Sequence, residues 1–456
     1  MRAKPPESIG SAHHALRPID VVAIIVGLVI GAGIFKAPAI VAGSLGSEPL
    51  ILTAWLLGGI VSLIGALCYA ELASAYPTRG GEYHYLSRAY GRRLGFLFGW
   101  SRLAVLQTGS IALLAFVFGD YASALWPLGE NGAAIYAATA VVLLTGLNLV
   151  GLRQASGLQN AMTLITLGGL LTIIVLGLTL GGGAVPAAEP AGGLRPGEAI
   201  GLAMIFVLLT YGGWNEAAYV SSELRGARRN MVRVLVVGIG LITLAYLLVN
   251  LAYLRMLGVD AMAGSEVVTA DAMRAVLGDN AARLVSALIA VAVFASINVT
   301  ILTGARTNFA LGRDFPALGF LARWRAQGNA PVGALLVQGA VALALVFIGA
   351  QQRSGFETMV HYVSPVFWLF FLLTGLALIV LRVREPQVAR PFRVPLYPVL
   401  PILFVGSSTY MLYASLAYSG LGALLGVALL VLGVPMLWWA GRGRGLVSAS
   451  VKQGGS

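Results

Sequence analysis

The residues best placed to do chemistry are Gly31, Ala32 and Gly33, inside the run IIVGLVIGAGIFKAP from Ile24 to Pro38. The run is apolar enough to cross a bilayer, yet its glycines interrupt the helical pattern at mid-depth. A break there leaves backbone N–H and C=O groups without helical partners. Lipid cannot satisfy them, so they must face protein, water or a bound ligand. Gly27 and Gly31 also stand four residues apart, the spacing of a close helix–helix contact, so the stretch alone supports a binding site and a packing face about equally. A second apolar stretch, Ile205 to Leu224 (IFVLLTYGGWNEAAYVSSEL), is interrupted at Tyr211, Gly212, Gly213, Trp214 and Asn215. Two interrupted segments in corresponding positions of two halves form the pattern of a carrier's binding site.

Helix ends then say what could bind. The amide-rich start of one half-helix favours an anion and the carbonyl-rich end of the other favours a cation. A zwitterion fits such a site, with the amides around Gly31, Ala32 and Gly33 on a carboxylate and the carbonyls near Ile30, Leu209 and Thr210 on an ammonium group. Glycine lets a ligand approach the backbone where a β-carbon would block it. Glu216, one residue past the second break, is an ionisable group at membrane depth and a candidate for proton coupling. A carboxylate hydrogen-bonded for structure explains it about as well.

The elements that must position these residues follow from composition. The chain has 456 residues, 58% hydrophobic and 11% charged, which is outside the range of soluble domains. Windows of about 20 apolar residues place twelve spans, roughly at 19–43, 50–76, 94–119, 133–150, 157–181, 198–222, 232–257, 283–305, 332–350, 359–381, 399–418 and 421–440. The first 18 residues are polar and lack the apolar core of a cleavable signal. Basic residues collect in alternate loops, in Arg79 to Arg93, Arg225 to Arg233, Arg306 to Arg325 and Arg382 to Arg393. By the positive-inside rule both termini are cytoplasmic, and the net charge of +12 reflects topology rather than nucleic-acid binding. The loop 120–132 on the other side carries Asp120 and Glu130 and no basic residue. The expected organisation is a cytoplasmic arm over 1–18, a single membrane domain over 19–440 and a cytoplasmic tail over 441–456. Within that domain two five-span repeats, about 19–181 and 198–381, insert in opposite orientations, and spans 11 and 12 lie outside them.

The single cysteine, Cys68, lies in an apolar run, so no intrachain disulfide can form, and no disulfide-linked partner chain is expected. The four histidines are too dispersed for a metal site. Lys36 is expected to snorkel to the interface, as is Arg102. Tyr76, Tyr121, Trp126, Tyr253, Trp438 and Trp439 read as interface anchors. Val267 to Leu277 reads equally as an amphipathic cap over an outer vestibule and as a surface helix with no further role. Glu71, Glu82 and Glu223 flank basic loops and form a candidate inner ion-pair set, a reading that stands beside that of plain solvated loops with lipid-facing arginines.

Four motifs resemble the amino acid–polyamine–organocation (APC) superfamily, and within it the L-type amino acid transporter-like members. They are IVGLVIGAGIF (Ile25–Phe35), CYAELASAYPTRGGEYHYLSRAYG (Cys68–Gly91), YGGWN with SSELRGARRN (Tyr211–Asn215 and Ser221–Asn230), and FASIN…GARTNFALGRDFP (Phe294–Pro316). The resemblance implies an all-α polytopic protein of LeuT-like fold: twelve helices, a 5+5 inverted repeat, and broken helices 1 and 6. It implies alternating access of a small amino acid between a bundle of spans 1, 2, 6 and 7 and a scaffold of spans 3, 4, 8 and 9. Carried over, the substrate-binding residues are Ile30, Gly31, Ala32, Gly33, Leu209, Thr210, Tyr211, Gly212, Trp214 and Asn215. Leu209 matches a position that is often an aromatic outer gate, so occlusion falls to Tyr211, Trp214 or Phe206. Thr166 stands where many members place a lysine in the fifth span. The candidate cation or coupling site therefore comprises Gly27, Thr166, Ser296, Asn298 and Glu216, for sodium or a proton, with no other cofactor.

The expected function is secondary transport of neutral L-amino acids in the plasma (inner) membrane. The alternative is a proton- or sodium-coupled symporter of amino acids or polyamines rather than an exchanger. An intramembrane enzyme would need His, Asp or Glu clusters at one interface, and none with a recognisable spacing is present. A channel would need a pore loop or charged ring, against which the paired breaks argue.

Overall fold

The computed structural model describes the backbone of residues 17–77, 80–150, 156–182, 195–215, 227–324 and 330–442. Glu216 and Ser221–Gly226 lie outside the described residues, as do the N-terminal arm and the end of the tail.

The helices in chain order are α1 (Pro18–Val29), α2 (Ala37–Leu45), α3 (Glu48–Ala75), α4 (Gly81–Tyr90), α5 (Arg92–Ser101), α6 (Gln107–Leu125), α7 (Gly132–Val150) and α8 (Ser156–Leu180). They continue as α9 (Pro196–Thr210), α10 (Ala227–Ala263), α11 (Val268–Leu277), α12 (Asp279–Asp314), α13 (Val332–Ala350), α14 (Gly355–Arg384), α15 (Val399–Ala417) and α16 (Gly420–Arg442). A π-helical turn, Arg102–Leu106, joins α5 to α6 in one long span. Among the described residues nine helices are long and apolar enough to cross a membrane. Three shorter apolar helices, Pro18–Gly27, Leu164–Leu180 and Pro196–Thr210, fall in the first, fifth and sixth expected spans. The first and third are short because each stops at a break.

Local chemistry accounts for the ends that matter. Proline at the start of α1 and of α9 is pre-set for the first helical turn and gives up no needed N–H. Asp20 accepts the Arg17 backbone N–H at 3.2 Å, and α2 closes on Gly46 in the left-handed region that glycine adopts readily. The core runs through the middle of the bundle: α6 packs on α7, α12 and α14, and α10 packs on α1, α2 and α3. The second half of the broken first span, α2, lies against α9. The two broken segments are thus neighbours.

Three expectations change here. Asp120 is not a loop residue, because α6 runs on to Leu125 and carries it inside the fold. Tyr121 and Tyr253 are wholly buried, not interface anchors; their hydroxyls bond the Phe35 carbonyl at 2.8 Å and Thr269 at 2.7 Å. Tyr76 is also buried, and its hydroxyl donates to Glu385 at 3.0 Å. Trp126 is 74% exposed.

Candidate functional site

The first break begins where α1 ends. Ile30 and Gly31 are extended, Ala32–Phe35 form one 3-10 turn, and α2 starts after Lys36. The second begins after Thr210: Tyr211–Gly213 form a turn, with Gly213 at φ +106, a conformation that side chains disfavour, and the helix resumes at Trp214.

The two breaks meet. A β-carbon built on Gly33 would lie 3.0 Å from Thr210 Oγ1 and 3.3 Å from its Cα. One on Gly31 would meet nothing closer than the Val29 carbonyl at 3.9 Å. Below this contact Tyr246 of α10 places its hydroxyl 3.1 Å from the Val29 carbonyl and 3.1 Å from the Thr210 carbonyl. These are the last carbonyls of α1 and α9, the groups that a broken helix leaves without partners. One hydroxyl has a single proton to share between them, and each carbonyl keeps a second lone pair. The arrangement brings two carbonyl-rich helix ends and an open stretch of backbone at Gly31 to one place.

The expected site residues divide by where their side chains go. Ile30, Ala32 and Thr210 are buried at the breaks, while Gly31, Gly33, Leu209, Gly212 and Asn215 are partly buried. The Thr210 hydroxyl donates back to Phe206 O at 2.7 Å. Tyr211 turns into α3, where its hydroxyl donates to Trp55 O at 2.9 Å and its ring meets Trp55 and Tyr246. Trp214 packs against Tyr69, Phe371 and Phe404. Phe206 stacks on Phe356 and meets the edge of His361.

Of the candidate cation residues, Asn298 Oδ1 accepts from Asn148 Nδ2 at 2.6 Å, across from α12 to α7. Ser296 Oγ donates within its own helix to Ala292 O at 3.0 Å. Thr166 and Gly27 are partly buried, on α8 and α1. Among the described residues no group of three or more His, Cys, Asp or Glu could hold a metal ion.

Lys36 does not snorkel. It is 7% exposed, its Nζ lies 2.7 Å from Asp120 Oδ2, and it donates to the Glu266 carbonyl at 2.7 Å. A carboxylate and a carbonyl within reach satisfy the ammonium inside the fold, as burial of a charge requires. This pair lines a cavity of about 510 Å³, together with Glu130, Glu266, Arg353 and Glu357. Residues Ala263–Glu266, on the cavity wall, lead into α11, the helix expected over Val267–Leu277.

At the opposite end Glu71 is fully buried. Its partners are Arg382, which donates from Nε at 2.7 Å and again from Nη2, Arg390 at 3.4 Å, and the Val394 N–H at 2.7 Å. The carboxylate therefore pairs with the end of α14 and the loop behind it rather than with the basic loop 77–93. Glu82 accepts from the Tyr69 hydroxyl at 2.7 Å. Sequence reasoning missed Tyr246 and Asp120. In the sequence Tyr246 is one polar tip within an apolar stretch, and Asp120 reads as a loop residue.

A helical membrane protein whose two broken spans abut at their unwound residues is built as a carrier. The model of the amino acid permease family matches residues 16–439, and the chain belongs to that family, within the APC superfamily of LeuT-like fold. It is similar to the mouse b(0,+)-type amino acid transporter 1, 32% identical over 86% of this chain and 80% of the relative. It is also similar to the mouse large neutral amino acids transporter small subunit 2, 31% identical over 91% and 78%, and to its human counterpart, 30% identical over 95% and 82%. The family and these relatives are transporters of amino acids, not enzymes.

Proposed function

We propose that the chain is a secondary transporter of L-amino acids with neutral side chains, working by alternating access, and that the zwitterion is held between the two breaks. The observation that carries this is the convergence of the Val29 and Thr210 carbonyls on one hydroxyl beside the open backbone of Gly31. Amides of Gly31, Ala32 and Gly33 would take the carboxylate, and the carbonyl-rich ends the ammonium. No described residue of either break before Lys36 carries a charge, which supports a neutral side chain. The names of the relatives agree with an amino acid as substrate. The distribution of basic residues supports twelve spans with both termini cytoplasmic, in the plasma (inner) membrane. The sole cysteine, Cys68, is buried in α3, which supports a chain with no disulfide-linked partner.

Uptake of labelled neutral amino acids into proteoliposomes is the test; absence of saturable uptake or exchange for all of the common twenty would sink the proposal. Exchange is weighed against sodium symport, in which Asn298 Oδ1 would offer a cation the lone pair left beside its bond from Asn148. Comparing sodium gradient, proton gradient and internal amino acid alone, in the native protein and in Thr166→Lys, decides between them. Dependence of native uptake on a sodium gradient would establish symport.

A further inference from the structure

Two consecutive residues of the first break are tied to two consecutive residues of α6. The Phe35 carbonyl accepts from the Tyr121 hydroxyl at 2.8 Å, and the Lys36 ammonium pairs with Asp120 at 2.7 Å. Lys36 also holds the Glu266 carbonyl just ahead of α11, so one side chain joins three elements far apart in sequence. The ends of the pair are almost dry: the Lys36 side chain is 9% exposed and that of Asp120 14%.

The cavity shows what this junction separates. Lys36 and Asp120 are on its wall, whereas none of Ile30 to Gly33, Leu209 or Thr210 is. Lys36 ends the 3-10 turn that carries Ala32 and Gly33. The ion pair therefore sits on the cavity wall at the very end of the break. A movement that parted the unwound segment from α6 would separate Lys36 from Asp120 and open the Gly31–Gly33 backbone toward the cavity.

We propose that Lys36 and Asp120 are a lock that holds the binding site closed toward this cavity and opens once in each transport cycle. The alternative is a permanent staple that never opens. Water entering the cavity would stabilise both separated charges, so opening exchanges one buried pair for two hydrated ions rather than leaving either bare. The proposal rests on the transport reading, and its test separates the two.

The test uses the full chain with Cys68→Ala, carrying Lys36→Cys and Asp120→Cys, joined by a short bifunctional thiol reagent that a reductant cleaves. A lock predicts that cross-linked protein in proteoliposomes loses at least tenfold in uptake and regains it on reduction. A staple predicts uptake within twofold of the reduced protein, and that result overturns the proposal. A second measurement needs neither substrate nor cross-link. With Ala32→Cys as reporter, Lys36→Gln and Asp120→Asn should each speed labelling by a membrane-impermeant maleimide, added on the cavity side, several-fold, and the charge swap Lys36→Asp with Asp120→Lys should return it toward the parent rate. Unchanged labelling in both single variants refutes the lock. Failure of the unmodified protein to take up any amino acid refutes the transport reading instead, and leaves the labelling result to judge the lock.

Discussion

Gly33 and Thr210 touch across the two breaks so closely that a β-carbon on the glycine would have three Thr210 atoms within 3.3 Å. Thr210 cannot swing aside freely, because its hydroxyl is bonded to Phe206 O. Gly33→Ala should therefore cost about 1–3 kcal/mol of stability through overpacking and separate the breaks. Gly31→Ala meets only the Val29 carbonyl at 3.9 Å, and its backbone is extended, which any residue adopts. It should fold normally and weaken substrate binding by filling the space beside the backbone. Thermal unfolding in detergent and the KM for uptake separate the two: Gly33→Ala lowers the midpoint, whereas Gly31→Ala raises KM at an unchanged midpoint.

Tyr246 offers a second test at the same place. Its hydroxyl serves the last carbonyls of both α1 and α9, and the ring is wholly buried against Trp55 and Tyr211. Tyr246→Phe keeps the packing and removes only the donor. A buried acceptor left unpaired costs about 1–3 kcal/mol, so the variant should unfold at lower temperature, and Tyr246→Leu lower still. An unchanged midpoint for Tyr246→Phe would mean that water replaces the hydroxyl.

The contrast between these residues shows what was legible beforehand. Helix positions came through because period and length are local properties; the helices over 332–350 and 399–417 match their expected spans to within a residue. Both breaks were readable because glycine and a pause in apolar patterning mark them directly. Lys36 and Asp120 were not, because a basic residue near a span end and an acidic one near a loop each have an ordinary explanation. Only the fold brings them together, 84 residues apart in the chain. Glu71 was recognised as an ionic residue of one end, but its partners lie more than 300 residues away.

Glu71 makes a direct prediction. Its carboxylate is wholly buried and holds Arg382, Arg390 and the Val394 N–H, so its loss takes the acceptor from the Arg382 guanidinium and the Val394 amide, while Arg390 keeps its bonds to the Val388, Leu381 and Glu385 carbonyls. Removing one partner of a buried pair typically costs about 3–5 kcal/mol. Glu71→Ala should be severely unstable in thermal unfolding, and Glu71→Gln intermediate, since the amide oxygen still accepts hydrogen bonds. Equal loss in both variants would show that charge rather than hydrogen bonding dominates.

Glu385, just past α14, predicts a pH dependence. Burial pushes its carboxyl up, but the hydrogen bonds from Arg88 and Tyr76 and the charges of Arg88 and Arg390 outweigh that and hold it below its usual value. A carboxyl lowered on folding contributes stability that is fully present above its unfolded pKa, about 4.3 for Glu, and is lost as pH falls through the lower folded value. Arg88 and Glu385 are partly exposed, at 41% and 27%, so solvent screening limits the pair to about 0–1 kcal/mol. Glu385→Gln should therefore lower the unfolding midpoint slightly at pH 7 and have a smaller effect at pH 3, below the unfolded pKa. Because acid acts on the rest of the protein as well, the comparison must be variant against parent at each pH. A deficit of the same size at pH 3 and pH 7 would assign the effect of Glu385→Gln to packing rather than to charge.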